Sequence, residues 1–142
     1  MQFKKVIDTA IKQEEDSYKI YMKGYRVTKL KSSKLLFKKL AGEELKHKKL
    51  LQNIDLSNVA DFPKTKYKSL YLEEDLQLTP LNELNEVKTI LNFTIKKEIK
   101  AYKQYSNIAK TMKDDLKVFF TNLAKEEQKH KILVSKEYKK LF

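Results

Sequence analysis

Residues Leu40–Lys48, with the sequence LAGEELKHK, return almost unchanged as Leu123–Lys131, LAKEEQKHK. The chain contains two histidines, and each copy of this block holds one of them, three residues after a glutamate. On an α-helix, residues three apart are neighbours on one face, roughly 5–6 Å apart at Cβ. Glu-x-x-His on each of two helices, with one glutamate from each of two others, is the ligand set of carboxylate-bridged di-metal bundles. The block therefore predicts a bundle with a metal site, if the chain supplies two more carboxylates.

The composition indicates an all-α protein with a single domain, residues 1–142. Two glycines and two prolines are too few turn residues for a many-stranded sheet, and helix formers are abundant. Without cysteine, the chain cannot form a disulfide, a thiolate metal site or a four-cysteine iron centre. No stretch approaches the roughly 20 apolar residues that span a membrane, so we expect no membrane association. No secretory signal is visible either, and we expect a cytoplasmic protein.

The formal net charge of +12 raises the question of an anionic partner. The lysines, however, are spread along every predicted helix, and Arg26 is the one arginine, although arginine is favoured for bidentate contacts to phosphates and bases. Solvated, lysine-rich helix faces explain this charge better than a nucleic-acid interface. We therefore expect no nucleic-acid partner beyond weak, salt-sensitive association with polyanions.

Apolar residues recur every three or four positions in four segments, which predicts four amphipathic helices. The first extends from about Phe3 to Val27. Residues 53–79 lack this pattern, and we interpret them as a long crossover between two halves of a bundle. The N-cap candidates for the second, third and fourth helices are Ser32 or Ser33, Thr79 before Pro80, and Asp114 or Asp115.

The two halves of the chain form an internal repeat, at residues 3–52 and 80–140. A shift of 83 residues aligns the second and fourth helices, and a shift of 84 aligns the first and third. The aligned pairs include Glu44 with Glu127, His47 with His130, Glu14 with Glu98 and Tyr21 with Tyr105. Two helical hairpins joined by a long crossover predict a four-helix bundle of the ferritin-like type.

The repeat and the helical phase select the ligands. Glu14 has a counterpart in the second half, Glu98, whereas the adjacent Glu15 has none. Glu44 lies on the apolar stripe of its helix, while Glu43 lies about 100° around the axis, toward the flank. The predicted ligands are Glu14, Glu44 and His47 for one metal and Glu98, Glu127 and His130 for the other, with Glu44 and Glu127 bridging.

Burying an unpaired carboxylate costs several kcal/mol, so four of them in one core must be protonated or neutralised by cations. Two divalent metals would balance four carboxylates, and two neutral imidazoles would complete the ligand shell. Mixed carboxylate and imidazole ligands suit iron or manganese, with zinc as a further alternative. A single Glu-x-x-His is more often a solvated helix face, but six such residues on four apolar stripes favour a metal site.

Tyr21 and Tyr105 each lie seven residues, or two helical turns, after a predicted ligand glutamate. One interpretation is a hydroxyl that hydrogen-bonds a ligand carboxylate of the neighbouring helix and holds its orientation. The other is an ordinary core tyrosine, whose hydroxyl also needs a partner. Both interpretations stay open, and we interpret Tyr18 and Tyr102 as packing residues.

A glutamate, a tyrosine seven residues later and then Glu-x-x-His, all present twice, resembles the rubrerythrin family of the ferritin-like superfamily. The resemblance covers nearly the whole chain and implies a stand-alone erythrin-like domain with a di-iron centre that reacts with hydrogen peroxide or oxygen. It also implies homodimers, some with helices exchanged between subunits. The chain departs from the family in having no cysteine for a rubredoxin domain, so electrons would come from an external rubredoxin-like protein or flavoprotein. Ile95 and Ala101 flank Glu98 where the family carries an extra carboxylate, which puts redox-linked ligand exchange in doubt.

Three functions fit these features. The first is a non-haem di-iron oxidoreductase that reduces peroxide or oxygen with electrons from an external donor. The second is ferritin-like iron oxidation and storage, which needs a hollow multi-subunit shell and is therefore distinguished by the size of the assembly. The third is a basic helical adaptor in which the metal site is structural.

Overall fold

The computed structural model describes residues 3–55 and 83–142, which form four α-helices and no strand. They are α1 (Phe3–Val27), α2 (Lys31–Gln52), α3 (Glu83–Thr111) and α4 (Asp114–Leu141). Helix α1 packs along α2 and α3 packs along α4, while α1 also contacts α3 and α2 contacts α4. This arrangement confirms the predicted all-α bundle of two helical hairpins. The predicted crossover, residues 53–79, lies outside the described residues except for its first three positions.

The apolar stripes of the four helices meet in two separate clusters, one on each side of a polar layer. The first cluster includes Phe3, Val6, Ile7, Ala10, Leu51, Tyr105, Ile108, Phe120 and Leu123. The second includes Tyr21, Phe37, Leu40, Ala41, Val87, Ile90, Leu91 and Val134. Because apolar side chains close the bundle above and below, polar groups between the clusters are shielded from water at both ends. None of the helices in residues 3–55 and 83–142 combines the length and apolarity that crossing a membrane requires.

The turn between α1 and α2 does not use the predicted caps. Helix α2 starts directly after Leu30, whose N–H donates to the Thr28 hydroxyl at 3.1 Å. Ser32 and Ser33 therefore lie inside the helix, and the prediction of a serine N-cap is wrong. The Ser32 hydroxyl instead donates to the Glu137 carboxylate of α4 at 3.1 Å, a contact between hairpins that local sequence does not specify.

The start of α4 also differs from the prediction. Lys113 is the N-cap residue, and its side chain makes no capping hydrogen bond. Asp114 and Asp115 lie in the first turn, where their carboxylates face the positive end of the helix dipole. Asp114 has a φ of 55°, a conformation that aspartate adopts more readily than most residues. The predicted cap of the third helix, Thr79–Pro80, lies outside the described residues.

Candidate metal centre

The polar layer between the two apolar clusters contains all six residues that the sequence selects as ligands. Each of the four helices contributes: α1 and α3 give one carboxylate each, and α2 and α4 give a carboxylate and an imidazole each. The side chains are at most 5 % exposed, and they are Glu14, Glu44, His47, Glu98, Glu127 and His130. Helical periodicity explains this placement, because each residue is in phase with the apolar residues of its own helix.

The six residues form two overlapping groups, in each of which one ligand atom per residue lies within 4.8 Å of the others. One group consists of Glu14, Glu44, His47 and Glu127, and the other consists of Glu44, Glu98, Glu127 and His130. Glu44 and Glu127 belong to both groups, the position that a bridging carboxylate would occupy. The two groups contain the residues that the sequence assigns to each metal, and the division of the ligands between two metals stays a prediction.

His47 directs its Nδ1 atom into the first group. This atom lies 2.9 Å from the Glu127 carboxylate and 3.6 Å from both Glu14 and Glu44. One ring nitrogen therefore faces three carboxylates from three different helices, as a ligand to a cation between them would.

His130 directs its Nδ1 atom into the second group in the same way. The Nδ1 atom lies 2.9 Å from Glu44 and 3.7 Å from both Glu98 and Glu127. The two imidazole rings are nearly parallel, with an interplanar angle of 11° and centroids 5.7 Å apart. The two halves of the repeat therefore place their imidazoles side by side, one for each group.

Several buried atoms of the layer have no hydrogen-bond partner within the described part of the chain. They include Glu14 Oε2, Glu98 Oε2 and Glu127 Oε2. Buried polar atoms of folded proteins are almost always paired, so three unpaired carboxylate oxygens converging on one layer need an explanation. Four carboxylates and two imidazoles match the ligands of iron, manganese or zinc, and bound cations would satisfy these atoms.

Without metal, the carboxyl groups hold protons more tightly than usual. Burial, followed by the charge of Glu127, raises the pKa of Glu14, Glu44 and Glu98. For Glu127, burial would raise the pKa, but the close approach of Glu98, His130 and His47 outweighs it and holds the pKa well below its usual value. The metal-free environment thus favours the ionised form of Glu127 and the protonated form of the other three carboxyl groups.

The imidazoles also favour their protonated form. Burial lowers the pKa of His47, but the hydrogen bond to Glu127 and the nearby Glu14 carboxylate reverse the effect and raise the pKa to about 10. The pKa of His130 is raised for the same reason, by Glu127, Glu44 and Glu98 against the effect of burial. In the metal-free protein, protons therefore neutralise the carboxylate charge that cations would neutralise in the metal-loaded protein. Binding of a metal must release these protons.

The two predicted tyrosines contact ligand carboxylates across the bundle. Tyr21 of α1 donates to Glu98 Oε1 at 2.7 Å, and Tyr105 of α3 donates to Glu14 Oε1 at 2.6 Å. Burial and these neighbouring carboxylates raise the pKa of both phenols well above 10, so each hydroxyl keeps its proton and remains a donor. Tyr102, interpreted as a packing residue, is instead 39 % exposed.

One residue outside the predicted ligand set, Glu43, contacts a predicted ligand. Helical phase predicts a position on the flank of α2, yet the Oε2 atom of Glu43 lies 2.5 Å from Nε2 of His130, the ring nitrogen turned away from the metal positions. Its repeat counterpart is Glu126, and one ligand atom each of Glu43, Glu126 and His130 lies within 4.8 Å of the others. The recurrence of Glu-Glu-x-x-His in both halves was the signal that the first glutamate also has a role.

A cleft between α2 and α4 leads to the layer. Its volume is about 390 Å³, and His47 lies in its wall together with Glu43 and Glu126. Apolar side chains of both helices, including Leu50 and Phe119, also line the cleft. Of the six predicted ligands, His47 is the one that lines this cleft.

Comparison with known proteins agrees with this geometry. The profile of the rubrerythrin family matches residues 5–84 and 89–142. The chain belongs to the rubrerythrin family. Searches of curated proteins and of solved structures gave no significant match. Members of the rubrerythrin family hold a di-iron centre in a ferritin-like bundle, and the buried layer of this chain has the residues to hold such a centre.

The structure also shows the surroundings of Glu98 along α3. Ile95 is packed against the apolar cluster that contains Tyr21, and Ala101 against the cluster that contains Tyr105. The positions one turn before and one turn after Glu98 are thus apolar in this member of the rubrerythrin family.

Proposed function

We propose that this protein is a di-iron oxidoreductase that reduces hydrogen peroxide, or oxygen, with electrons from an external donor. For peroxide, two electrons and two protons convert one molecule to two molecules of water, and the O–O bond is broken. Two ferrous ions, when bound, would supply these electrons and stabilise the oxygen atoms that separate. Membership of the rubrerythrin family and the buried carboxylate–imidazole layer support this proposal.

The observation that carries the proposal is the sharing of Glu44 and Glu127 between two ligand groups. A structural site for one cation needs a single group of ligands, closed on all sides. Here two groups adjoin, and a cleft reaches the side on which His47 lies. Two adjacent metals with an approach from the surface are what a two-electron reaction on a small oxidant requires.

The residues of the layer take distinct parts in this proposal. Glu14, Glu44 and His47 would hold one iron, and the second-half ligands Glu98, Glu127 and His130 the other. Tyr21 would orient its carboxylate, Glu98, and Tyr105 would orient Glu14, so that neither carboxylate turns away from its metal. The two apolar clusters exclude water from both sides of the layer, which strengthens the attraction between carboxylates and cations.

The proposal is tested with the adjacent pair Glu14 and Glu15. Glu14 is buried in the layer, whereas Glu15 forms an ion pair with Lys48 at 2.6 Å and is partly exposed. We expect Glu14→Gln to reduce bound iron below two ions per chain and peroxide turnover by about 100-fold, because loss of a ligand costs at least as much as loss of a supporting residue. Glu15→Gln changes charge and size identically and should retain both iron and turnover.

Iron content by elemental analysis and anaerobic consumption of peroxide by the reduced protein measure these effects. Far-ultraviolet circular dichroism verifies that both variants fold. If the protein binds two iron ions but turns over neither peroxide nor oxygen with any reductant, the proposed reaction is contradicted. The assignment of the metal site would still hold. Equal loss in the Glu15→Gln variant would contradict the assignment of Glu14.

A further inference from the structure

The two imidazoles of the layer occur at equivalent positions of the repeat, but their surroundings differ. Both direct Nδ1 toward the carboxylates. The opposite nitrogen, Nε2, of His130 contacts Glu43 at 2.5 Å. Among residues 3–55 and 83–142, the carboxylates within ion-pair distance of His47 are Glu14, Glu44 and Glu127, which all contact it through Nδ1.

The glutamate that the repeat would supply to His47 is Glu126. Instead of contacting this imidazole, Glu126 lies 3.5 Å from the Lys129 ammonium on its own helix. Its side chain is 40 % exposed, compared with 29 % for Glu43. The sequence repeat therefore does not produce the same contacts in both halves. Glu43 of the first half contacts the imidazole of His130 in the second half, whereas Glu126 of the second half does not contact the imidazole of His47.

The contact with Glu43 has a definite effect on His130. A carboxylate accepts hydrogen bonds and does not donate them, so Nε2 of His130 must carry the proton. In the neutral imidazole that a metal requires, this leaves the lone pair on Nδ1, the atom that faces Glu44 at 2.9 Å. The hydrogen bond also fixes the ring orientation and makes Nδ1 a stronger donor to a metal.

The environment of His47 lacks this support and is more open. The residue is 5 % exposed, compared with 1 % for His130, and it lines the cleft between α2 and α4. The tautomer and orientation of His47 are therefore set by fewer contacts than those of His130. A metal beside His47 would also have a path for exchange with solvent.

From this asymmetry we propose that the two metal positions are inequivalent and that Glu43 is the positioning residue responsible. The position beside His130 binds its metal tightly, and the position beside His47 binds its metal more weakly and exchanges it through the cleft. The inference rests on the proposed function only as far as the presence of two metals, and not on any reaction.

The repeat supplies a matched pair of variants, Glu43→Ala and Glu126→Ala. Anaerobic titration of the metal-free protein with Co²⁺, followed by calorimetry and visible absorption, gives the affinity of each step. We expect two unequal steps in the unaltered protein. Glu43→Ala should weaken the tighter step by about 10–100-fold, whereas Glu126→Ala should leave it unchanged. Glu43→Gln, whose amide oxygen can still accept from Nε2, should recover most of the affinity.

A tautomer measurement separates positioning from a general effect on the fold. The chain has two histidines, so the imidazole signals of the Zn²⁺-loaded protein, labelled with ¹⁵N, are readily assigned. We expect the proton on Nε2 of His130 to be protected from exchange and to lose this protection in Glu43→Ala, with the His47 signals unchanged.

The remaining outcomes are decisive in different ways. Two Co²⁺ steps of equal affinity, or equal weakening by Glu43→Ala and Glu126→Ala, would overturn the inference and leave the proposed function intact. A third bound Co²⁺ that Glu43→Ala removes would place a metal between Glu43, Glu126 and His130 and would overturn it too. Absence of any Co²⁺ binding would overturn both the inference and the proposed function.

Discussion

At the scale of the residue, the centre depends on polar atoms that are buried before any metal arrives. Each tyrosine hydroxyl satisfies one carboxylate oxygen of the opposite hairpin, while the second oxygen of the same carboxylate has no partner in the described part of the chain. The tyrosines therefore contribute to the fold as well as to the orientation of ligands, since a buried oxygen that loses its donor is costly.

This dual contribution predicts different effects for Tyr105→Phe and Tyr102→Phe. Removing the Tyr105 hydroxyl leaves Glu14 Oε1 buried and unpaired, which should lower the free energy of unfolding of the metal-free protein by about 1–3 kcal/mol. Tyr102 lies three residues away and is 39 % exposed, so its variant should change stability by less than about 0.5 kcal/mol. Urea denaturation measures both, and equal effects would contradict the importance of the Tyr105 hydrogen bond.

At the scale of the element, the α1–α2 hairpin is tightened by the close approach of two helices at Gly24. A β-carbon built on Gly24 would lie 2.8 Å from the ring of Phe37, a fully buried residue of the core. The glycine is thus needed for packing, although it lies within a helix where it is unfavourable in itself. At Gly42, in the middle of α2, a β-carbon would meet no atom within 4 Å from outside its own helix backbone in the described part of the chain.

The two glycines should respond oppositely to alanine. Gly24→Ala gains about 0.5–1 kcal/mol of helix propensity. This gain is smaller than the overpacking cost of about 1–3 kcal/mol, so the variant should be less stable. Gly42→Ala carries only the gain and should be more stable by about 0.5–1 kcal/mol. Thermal unfolding followed by circular dichroism distinguishes them, and stabilisation by Gly24→Ala would show that the Phe37 ring moves aside without cost.

At the scale of the whole molecule, the two apolar clusters enclose a layer whose charge must be balanced by protons or by metals. The folded-state pKa of His47 is about 10, compared with 6.5 for the free side chain. A raised pKa stabilises the fold fully below pH 6.5, and this stabilisation is lost as the pH rises toward 10. The raised pKa values of Glu14, Glu44 and Glu98 act in the same direction above 4.5.

We therefore expect the free energy of unfolding of the metal-free protein to decrease by on the order of a few kcal/mol as the pH rises from about 6.5 to 10. The melting temperature should fall over the same pH range. In saturating Zn²⁺ the decrease should become smaller or reverse, because metals bind the deprotonated ligands. Calorimetric melts with chelator and with Zn²⁺ measure the two dependences, and His47→Gln should make the metal-free decrease shallower. A melting temperature that rises over this pH range without metal would contradict the proton-filled layer.

The sequence alone determined the helical class, the two hairpins and the six carboxylate and imidazole side chains that face inward. The helical class and the inward-facing positions follow from periodicity within each helix, whereas the hairpins and the choice of Glu14 over Glu15 follow from the repeat, which pairs Glu14 with Glu98. Helical phase is a local property, so it can be calculated from residue numbers. The same reasoning placed Tyr21 and Tyr105 near the ligands but could not choose between orientation and simple packing.

Tertiary structure decided which residues of different helices touch. Glu43 was correctly predicted to lie off the apolar stripe, but the distance and rotation between α2 and α4 bring it to His130, 87 residues away in the chain. The same packing moves Ser32 from a predicted cap to a contact with Glu137 and opens the cleft beside His47. Such contacts depend on how two helices pack against each other over their whole length. Two halves with similar sequences can therefore pack with different contacts.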